Sequence, residues 1–414
     1  MSLRNLLTWQ DVLISVFIGF AFGVPVHHDS PIYIGEMLGV PLCIGLLITG
    51  RLTRVIRQLG LQALVIAMPV MYFGYLVSDL VAGTETEQML KTSARLIFQF
   101  TDLLAVAHLL SRKPKRFDWL LVGFALSTCI FGYLDPDSAM WKFSGAAQID
   151  FVMAFLAKRL PRIAGAGLLI ATGVLNLILD CRNAAAVAVL AGVIYLVGAS
   201  AKYVKNAGVL QIVTIVGLVF AALSLTWHFV SSKDVDRQRE SSMGRLSEIK
   251  VVFKACLRSP LVGYGSDYSS SDLIDELAQS TVDKRGYRNG ESMFTTFKGH
   301  SEILQTWFEG GALGPVLFVI MLAWAVLGLR ALTSEQNLTS VDPVLLTAIL
   351  LCGWDLLMSP FGGVHRTSNA VLFGAVIIVH SYYRSKEPAS QHSWNLRYPR
   401  LQIVNRLRGL RPVV

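Results

Sequence analysis

The chain has 414 residues, of which 53% are hydrophobic and 16% are charged, and its mean hydropathy is +0.52. Ordinary soluble domains carry about a quarter charged residues, so the composition excludes a soluble globular protein. The net charge of +9 would suggest nucleic-acid binding in a soluble chain. Here the basic residues cluster in short loops between apolar runs, which is a pattern of membrane topology, and no nucleic-acid partner is expected.

Apolar stretches recur along the chain from residue 12 to residue 384. A helix needs about 20 such residues to cross the hydrocarbon core of a bilayer. The predicted spans are 12–28, 32–50, 60–80, 93–111, 118–134, 144–158, 163–180, 184–200, 207–229, 301–329, 344–360 and 369–384. The sequence therefore predicts an all-α, polytopic integral membrane protein with about 12 transmembrane helices.

The charges of the connections predict the orientation. Basic connections at 51–57, 112–116, 158–162 and 202–205 alternate with acidic ones at 84–87 and 135–137. By the positive-inside rule, the basic connections and both termini face the cytoplasm. The predicted parts are helices 1–9 in 1–229, a large periplasmic loop at 230–300, helices 10–12 in 301–385, and a basic cytoplasmic tail at 386–414.

The large loop contains a predicted amphipathic helix within residues 244–260. The residues expected on its apolar face, at 3.6-residue spacing, are Ile249, Phe253, Cys256 and Leu257. Those expected on its basic face are Lys250, Lys254 and Arg258. Such a pattern is typical of a helix that lies along the membrane surface or across the mouth of the bundle.

Four polar residues from separate parts of the chain are predicted at the outer face: Arg182, Arg245, His300 and Arg366. Contact with lipid headgroups is the alternative explanation for each arginine. Arg182 stands between two spans with almost no room for a loop, and a charge held at such a place predicts a functional site. His300 has an ordinary pKa that lets it accept a proton near neutral pH. It begins a predicted helix that "GGALGP" soon breaks.

The stretch "GHSEILQTWFEGGALGP", residues 299–315, resembles the signature of the bacterial O-antigen ligase and polymerase family. That signature has a histidine, a leucine, an acidic residue and two spaced glycines. Similar segments occur in the family's order at 141–157, 181–190 and 244–267, so the resemblance covers residue 141 to about residue 375. The departures from the family pattern are Cys181, Asn183 and Ser301, where Ser, a small residue and Asn are usual.

The resemblance implies a metal-independent, inverting glycosyltransferase that uses no cofactor. It would move a glycan from an undecaprenyl-pyrophosphate carrier to an acceptor hydroxyl. The reaction would take place at the periplasmic face of the bacterial inner membrane, in the synthesis of lipopolysaccharide or exopolysaccharide. A lipid-carried donor agrees with polar residues at the outer interface, because the pyrophosphate lies at headgroup depth while the polyprenyl chain stays in the bilayer.

The resemblance also implies roles for individual residues. His300 would orient or deprotonate the acceptor hydroxyl, as a general base does. Guanidinium groups bind a pyrophosphate through paired hydrogen bonds. The expected donor-binding residues are Arg182, Arg245 and, as a weaker third, Arg366. Glu302 or Glu309 would support the imidazole, although Glu309 could instead only pack against or cap the broken helix.

Alternatives remain open at this stage. The resemblance does not separate a repeat-unit polymerase, which we slightly favour, from a ligase that uses lipid A core as acceptor, and protein glycosylation is a third reading. A transporter of a glycolipid or anion should have polar residues throughout the membrane depth. Asp79, Asp102 and Asp355 fall in or near spans, but they form no evident continuous series. Asp135 and Asp137 are an alternative metal-binding pair, although a turn with Pro explains them more simply.

Overall fold

The computed structural model describes residues 7–26, 32–133, 145–179, 181–200, 248–266, 301–359 and 363–383. These residues form helices joined by short turns, and among them no strand occurs. One isolated antiparallel bridge joins Pro25 to Tyr33 in the connection between the first two helices. The predicted all-α fold is therefore confirmed for the described part of the chain.

The helices before residue 201 are α1 Trp9–Gly23, α2 Ile34–Ile48, α3 Arg51–Leu59, α4 Gln62–Ala82, α5 Thr86–Arg112, α6 Arg116–Tyr133, α7 Ala146–Ala157, α8 Arg162–Ile178 and α9 Arg182–Ser200. The later helical segments are α10 (residues 248–258), α11 Glu302–Gly310, the 3₁₀ turn Gly311–Leu313, α12 Val316–Thr333, α13 Glu335–Leu338, α14 Pro343–Met358 and α15 Gly363–Tyr383. Local chemistry sets several of these ends. Asp342, for example, accepts a hydrogen bond from Val344 N at 3.0 Å, and Pro343 occupies the first helical position of α14.

Among the described residues, α4, α5, α9 and α12 are long and apolar enough to cross a membrane. The bent pair of α2 and α3 would count as a fifth span, and α1, α7, α8 and α14 are shorter apolar helices. Together with the composition, these helices identify a multi-pass membrane protein. The count of 12 spans stays a prediction, since the predicted span at 207–229 and most of the loop at 230–300 lie outside the described residues.

Helix packing relies on small residues and on an apolar centre. A Cβ atom on Gly19 of α1 would lie 2.0 Å from Leu120 O of α6, and one on Gly123 would lie 2.1 Å from Val16 O. Glycine thus lets the backbones of α1 and α6 approach closely, as small residues do between membrane helices. The centre of the bundle is formed by α14 and α15, in which Leu346, Cys352, Leu372 and Phe373 are fully buried.

Candidate active site

The predicted tenth span is broken where its glycines fall. α11 ends at Gly310, a 3₁₀ turn follows, and α12 begins at Val316. Gly311 has a φ of +62°, and a Cβ there would lie 2.1 Å from Leu261 O. A Cβ on Gly314 would lie 1.9 Å from Thr306 O. The break therefore depends on glycine for its backbone conformation and for the close approach of the chain.

The first turn of α11 is fixed to α14 and α15. Ser301 accepts a hydrogen bond from Leu304 N at 3.4 Å and donates one to Leu356 O at 3.5 Å. Glu302 is fully buried, and its Oε1 accepts a hydrogen bond from the Nδ2 of the equally buried Asn369. Glu302 Oε2 and Asn369 Oδ1 have no hydrogen-bond partner among the described residues. The start of α11 thus holds a buried carboxyl group whose second oxygen meets no donor in the described part of the chain.

The last turn of α11 is fixed to α4 and α5 through the Glu309 side chain. Its Oε2 accepts hydrogen bonds from Tyr75 OH at 2.8 Å and from Arg95 Nη2 at 2.9 Å. Its Oε1 accepts one from Gln305 Nε2 at 2.8 Å. The Arg95 and Glu309 side chains are 21% and 10% exposed, so the ion pair is largely removed from solvent. Glu309 therefore braces three helices, and its two oxygens already have three donors.

The turn that follows α10 docks on the same end of α11 through main-chain groups. Tyr264 N donates to Phe308 O at 2.9 Å, and Gly265 N donates to Glu309 O at 3.0 Å. Ser266 N donates to the Asp79 Oδ1 of α4 at 2.6 Å. Gly265 has a φ of +84°, which a residue with a side chain rarely adopts. The turn at 263–266 is therefore the segment that attaches this part of the loop to α11.

Residues 248–258 are helical as predicted, but the face they bury differs in part from the predicted face. The buried residues are Val251, Val252, Ala255 and Cys256, which pack with Phe308. Phe253 and Leu257, which were predicted on the apolar face, are 45% and 57% exposed. Docking on α11 selects this small-residue face, which hydrophobic periodicity alone did not favour over the larger side chains. Burial also raises the pKa of the Cys256 thiol to about 12.

The structure gives Arg366 a carboxylate partner. Arg366 Nε donates to Glu36 Oε1 of α2, and the two side chains are 3% and 0% exposed. Glu36 Oε2 also accepts a hydrogen bond from Tyr33 N at 2.8 Å, at the start of α2. This pair neutralises charge inside the bundle, where an isolated charge would be costly. The predicted contact of Arg366 with a donor pyrophosphate remains a prediction.

Arg182 is the first residue of α9 and is half-buried. Its neighbours Cys181 and Ala184 form a buried cluster with Ala146, at the start of α7. Two segments on which the resemblance rests, 141–157 and 181–190, are thus in contact within their described parts. α14 packs against both α9, which begins at Arg182, and α11, which begins at Glu302.

Several predicted residues lie outside the described residues: Arg245, His300, Asp135 and Asp137. Ser301, which follows His300 in the chain, is 3% exposed. No group of three or more His, Cys, Asp or Glu residues able to hold a metal ion occurs in the ranges that the structure describes. The metal alternative at Asp135 and Asp137 stays open, because neither residue belongs to those ranges.

A polar stripe on α5 is not among the predictions from sequence. Thr92, Arg95, Gln99 and Asp102 recur at intervals of three or four residues, and Thr92, Gln99 and Asp102 are 3%, 0% and 0% exposed. Both polar atoms of Gln99 and both carboxyl oxygens of Asp102 have no hydrogen-bond partner among the described residues. The sequence argument that polar residues form no series through the membrane is therefore wrong for α5. In the sequence, the two charged residues Arg95 and Asp102 indicate this stripe, because they lie seven residues apart within one predicted span.

A comparison with curated proteins finds no match to this chain. Residues 166–319 match the model of the family described as O-antigen ligase. The matched segment runs through α9, the described part of the loop, α11 and the break after it. It carries the predicted residues Arg182, Glu302 and Glu309, whereas Arg366 lies beyond it. The resemblance of the sequence to the O-antigen ligase family is thereby confirmed over residues 166–319.

Proposed function

We propose that the protein is a glycosyltransferase of the bacterial inner membrane whose active site faces the periplasm. It moves a glycan from an undecaprenyl-pyrophosphate carrier to an acceptor hydroxyl. The proposal takes it to be a repeat-unit polymerase for O-antigen or exopolysaccharide. The single observation that carries the transferase proposal is the family match over residues 166–319, which contains five of the six predicted site residues.

The fixation of α11 supports a catalytic role for the residue that precedes it. Ser301 and Glu302 attach the start of α11 to α14 and α15, while Glu309 attaches its end to α4 and α5. A catalytic group acts best when it is held within a fraction of an ångström of its productive position. His300 leads directly into this fixed helix, so the proposal makes it the general base.

The proposed reaction requires one bond to form and one to break. The acceptor hydroxyl oxygen attacks the anomeric carbon of the donor glycan and passes its proton to the His300 imidazole. The bond between the anomeric carbon and the pyrophosphate oxygen breaks on the opposite side, which inverts the configuration. The electron pair leaves with the carrier pyrophosphate, whose negative charge Arg182 and Arg245 bind.

No described residue of the α11 region other than Glu302 has a buried carboxyl oxygen left to accept a hydrogen bond from the imidazole.

A ligase that uses lipid A core as acceptor is the nearest alternative, because donor and chemistry are the same. A transporter of a glycolipid or anion is the second candidate, and the polar stripe on α5 favours it. Buried polar residues inside a membrane bundle mark substrate and ion pathways in transporters. The family match favours the transferase over the transporter.

The test begins with a strain that lacks the protein. It is complemented with the wild type, with His300→Ala, Arg182→Ala and Arg245→Ala, and with Lys250→Ala as a control on the exposed side of α10. Membrane levels of each variant are matched, and the surface glycans are separated on a gel. We expect the three site variants to fail and the control to complement. A single repeat on lipid A core indicates a polymerase, while long carrier-linked chains without attachment indicate a ligase.

A second measurement separates the transferase from the transporter. Purified protein in detergent is mixed with a lipid-pyrophosphate glycan and an acceptor, so that no compartments exist across which transport could occur. Glycan transfer under these conditions supports the proposal. If no transfer occurs and His300→Ala complements fully in cells, the transferase proposal is wrong and transport becomes the better explanation.

A further inference from the structure

A short helix, α3, carries several arginines in a part of the chain that the proposed transfer reaction does not use. It follows α2 after a bend of 98°, and Gly50 at the bend has a φ of +64°. One side of α3 is buried, with Leu52 and Val55 at 8% and 4% exposure. The opposite side exposes Arg51, Arg54 and Arg57. The bend thus produces a separate amphipathic helix with a basic outer side.

Exposed apolar side chains on the last turns of α2 indicate the depth of α3. Ile44, Leu47 and Ile48 are 53%, 63% and 80% exposed. In a membrane protein such side chains face lipid tails, because contact with water would be unfavourable. Arg51 comes only three residues after Ile48. α3 therefore begins where the hydrocarbon ends, at the level of the lipid headgroups, and turns away from the axis of α2.

A cavity of about 230 Å³ lies between α3 and the last turns of α5. It is lined by Arg51, Arg54, Val55, Gln58, His108 and Ser111. None of these six described residues is acidic, and all except Val55 carry a cationic or hydrogen-bonding side chain. Guanidinium groups match the geometry of phosphate oxygens through paired hydrogen bonds. The volume is below the roughly 300–1,000 Å³ of ordinary small-molecule pockets, so it suits a headgroup phosphate better than a glycan.

We propose that this cavity binds the phosphate of an anionic membrane lipid, with Arg51 and Arg54 as its ligands. Basic pockets at the ends of transmembrane helices bind phospholipid headgroups in this way. The exposed apolar turns of α2 beside the cavity would hold the acyl chains of the same lipid. The site is independent of the proposed glycosyl transfer. It lies at the C-terminal end of α5, whose first residue is Thr86.

The test uses the purified full chain and native mass spectrometry, with phosphatidylglycerol as the anionic lipid and phosphatidylcholine as the neutral reference. Arg51→Gln and Arg54→Gln together should weaken phosphatidylglycerol binding about 100-fold, since two charge-assisted contacts are lost. Arg57→Gln is the matched control, because Arg57 lies on α3 but does not line the cavity. Removing that charge should weaken binding by about fivefold or less.

A variant without a charge change separates a built site from diffuse attraction. Gln58→Trp places a large ring in the cavity at an exposed position and keeps every arginine. We expect it to weaken phosphatidylglycerol binding at least tenfold, as judged by the same titration. Unchanged binding in Gln58→Trp, or a loss in Arg57→Gln as large as that in the double variant of Arg51 and Arg54, would overturn the proposal. So would competition by inorganic phosphate as strong as that by the lipid, since the ligand would then be a free anion.

Discussion

Two glutamates of α11, Glu302 and Glu309, lie seven residues apart on one face of the helix and are both buried, yet their surroundings differ. Glu309 accepts hydrogen bonds from Tyr75, Arg95 and Gln305, and one of these donors is a cation. Glu302 accepts one from Asn369, and its second oxygen has no partner among the described residues.

The difference separates a structural role from a chemical one. A carboxylate whose lone pairs are occupied by fixed donors stabilises the fold and has little capacity left for a substrate or an imidazole. A buried carboxyl oxygen without a partner carries a desolvation cost that an additional hydrogen-bond donor can offset. We therefore expect Glu309 to act as a brace and Glu302 to position the His300 imidazole, a choice that the sequence left open.

The largest expected effect is on transfer activity in Glu302→Gln. If Glu302 orients His300, the substitution should lower the rate by about 100-fold or more while the fold survives, because glutamine keeps the size and the Asn369 contact. The rate should be measured with matched amounts of purified protein across pH 5–9, and the pH profile should change shape. A wild-type rate and profile in Glu302→Gln would remove Glu302 from the mechanism.

The next effect is on stability, and it should appear in Glu309→Ala. That change leaves Arg95, Tyr75 and Gln305 without their shared acceptor, which should lower the free energy of unfolding by about 3 kcal/mol. Equilibrium unfolding of the purified protein in a mixed-detergent titration measures it, with Glu302→Gln as the control on the same helix. A double variant, Glu309→Gln with Arg95→Gln, should recover part of the loss. A smaller loss in Glu309→Ala than in Glu302→Gln would contradict the assignment of the brace.

A smaller loss of stability is expected in Gly311→Ala, at the end of α11 that Glu309 fixes. The φ of +62° and the 2.1 Å approach to Leu261 O both oppose a Cβ. The cost should be about 2 kcal/mol, after the chain has relaxed. Gly167→Ala is the matched control, since a Cβ there meets nothing within 4 Å and should stabilise α8 slightly. Equal effects of the two changes would mean that the break tolerates side chains.

The smallest expected effect of a substitution is on the alkylation rate of Cys256. This rate measures whether the end of α11 loosens when the contacts of Glu309 are lost. Burial raises the pKa of this thiol to about 12, so at pH 8 its thiolate fraction, and hence its reaction with maleimide, should be about a thousandfold below that of a free cysteine. Glu309→Ala should accelerate the reaction, because α10 packs on the end of α11 that Glu309 holds. Glu302→Gln should leave the rate unchanged. Mass spectrometry of the labelled peptide distinguishes Cys256 from the other cysteines.

Sequence reasoning was most successful where the chain's own pattern decides the outcome. The all-α fold, the break at "GGALGP" and the helix at 248–258 all follow from local composition, and the described residues contain each of them. The sequence did not predict the face by which α10 packs on Phe308, because that contact selects Val251, Val252 and Ala255 beside the predicted Cys256. The partners of Arg366 and Glu309 are Glu36 and Arg95, more than 200 residues away along the chain. A single sequence carries no signal for such pairings, although charges within apolar spans suggest that partners exist.

The docking of the turn at 263–266 on α11 has a consequence for how such a protein can diverge. The acceptors are carbonyl groups of the last turn of α11, which the end of any helix leaves unused. The donors at Tyr264 and Gly265 are main-chain amides, so the attachment does not depend on which side chain stands at most of these positions. Substitutions at these side chains can therefore accumulate while the glycine-dependent attachment of the turn to α11 is retained.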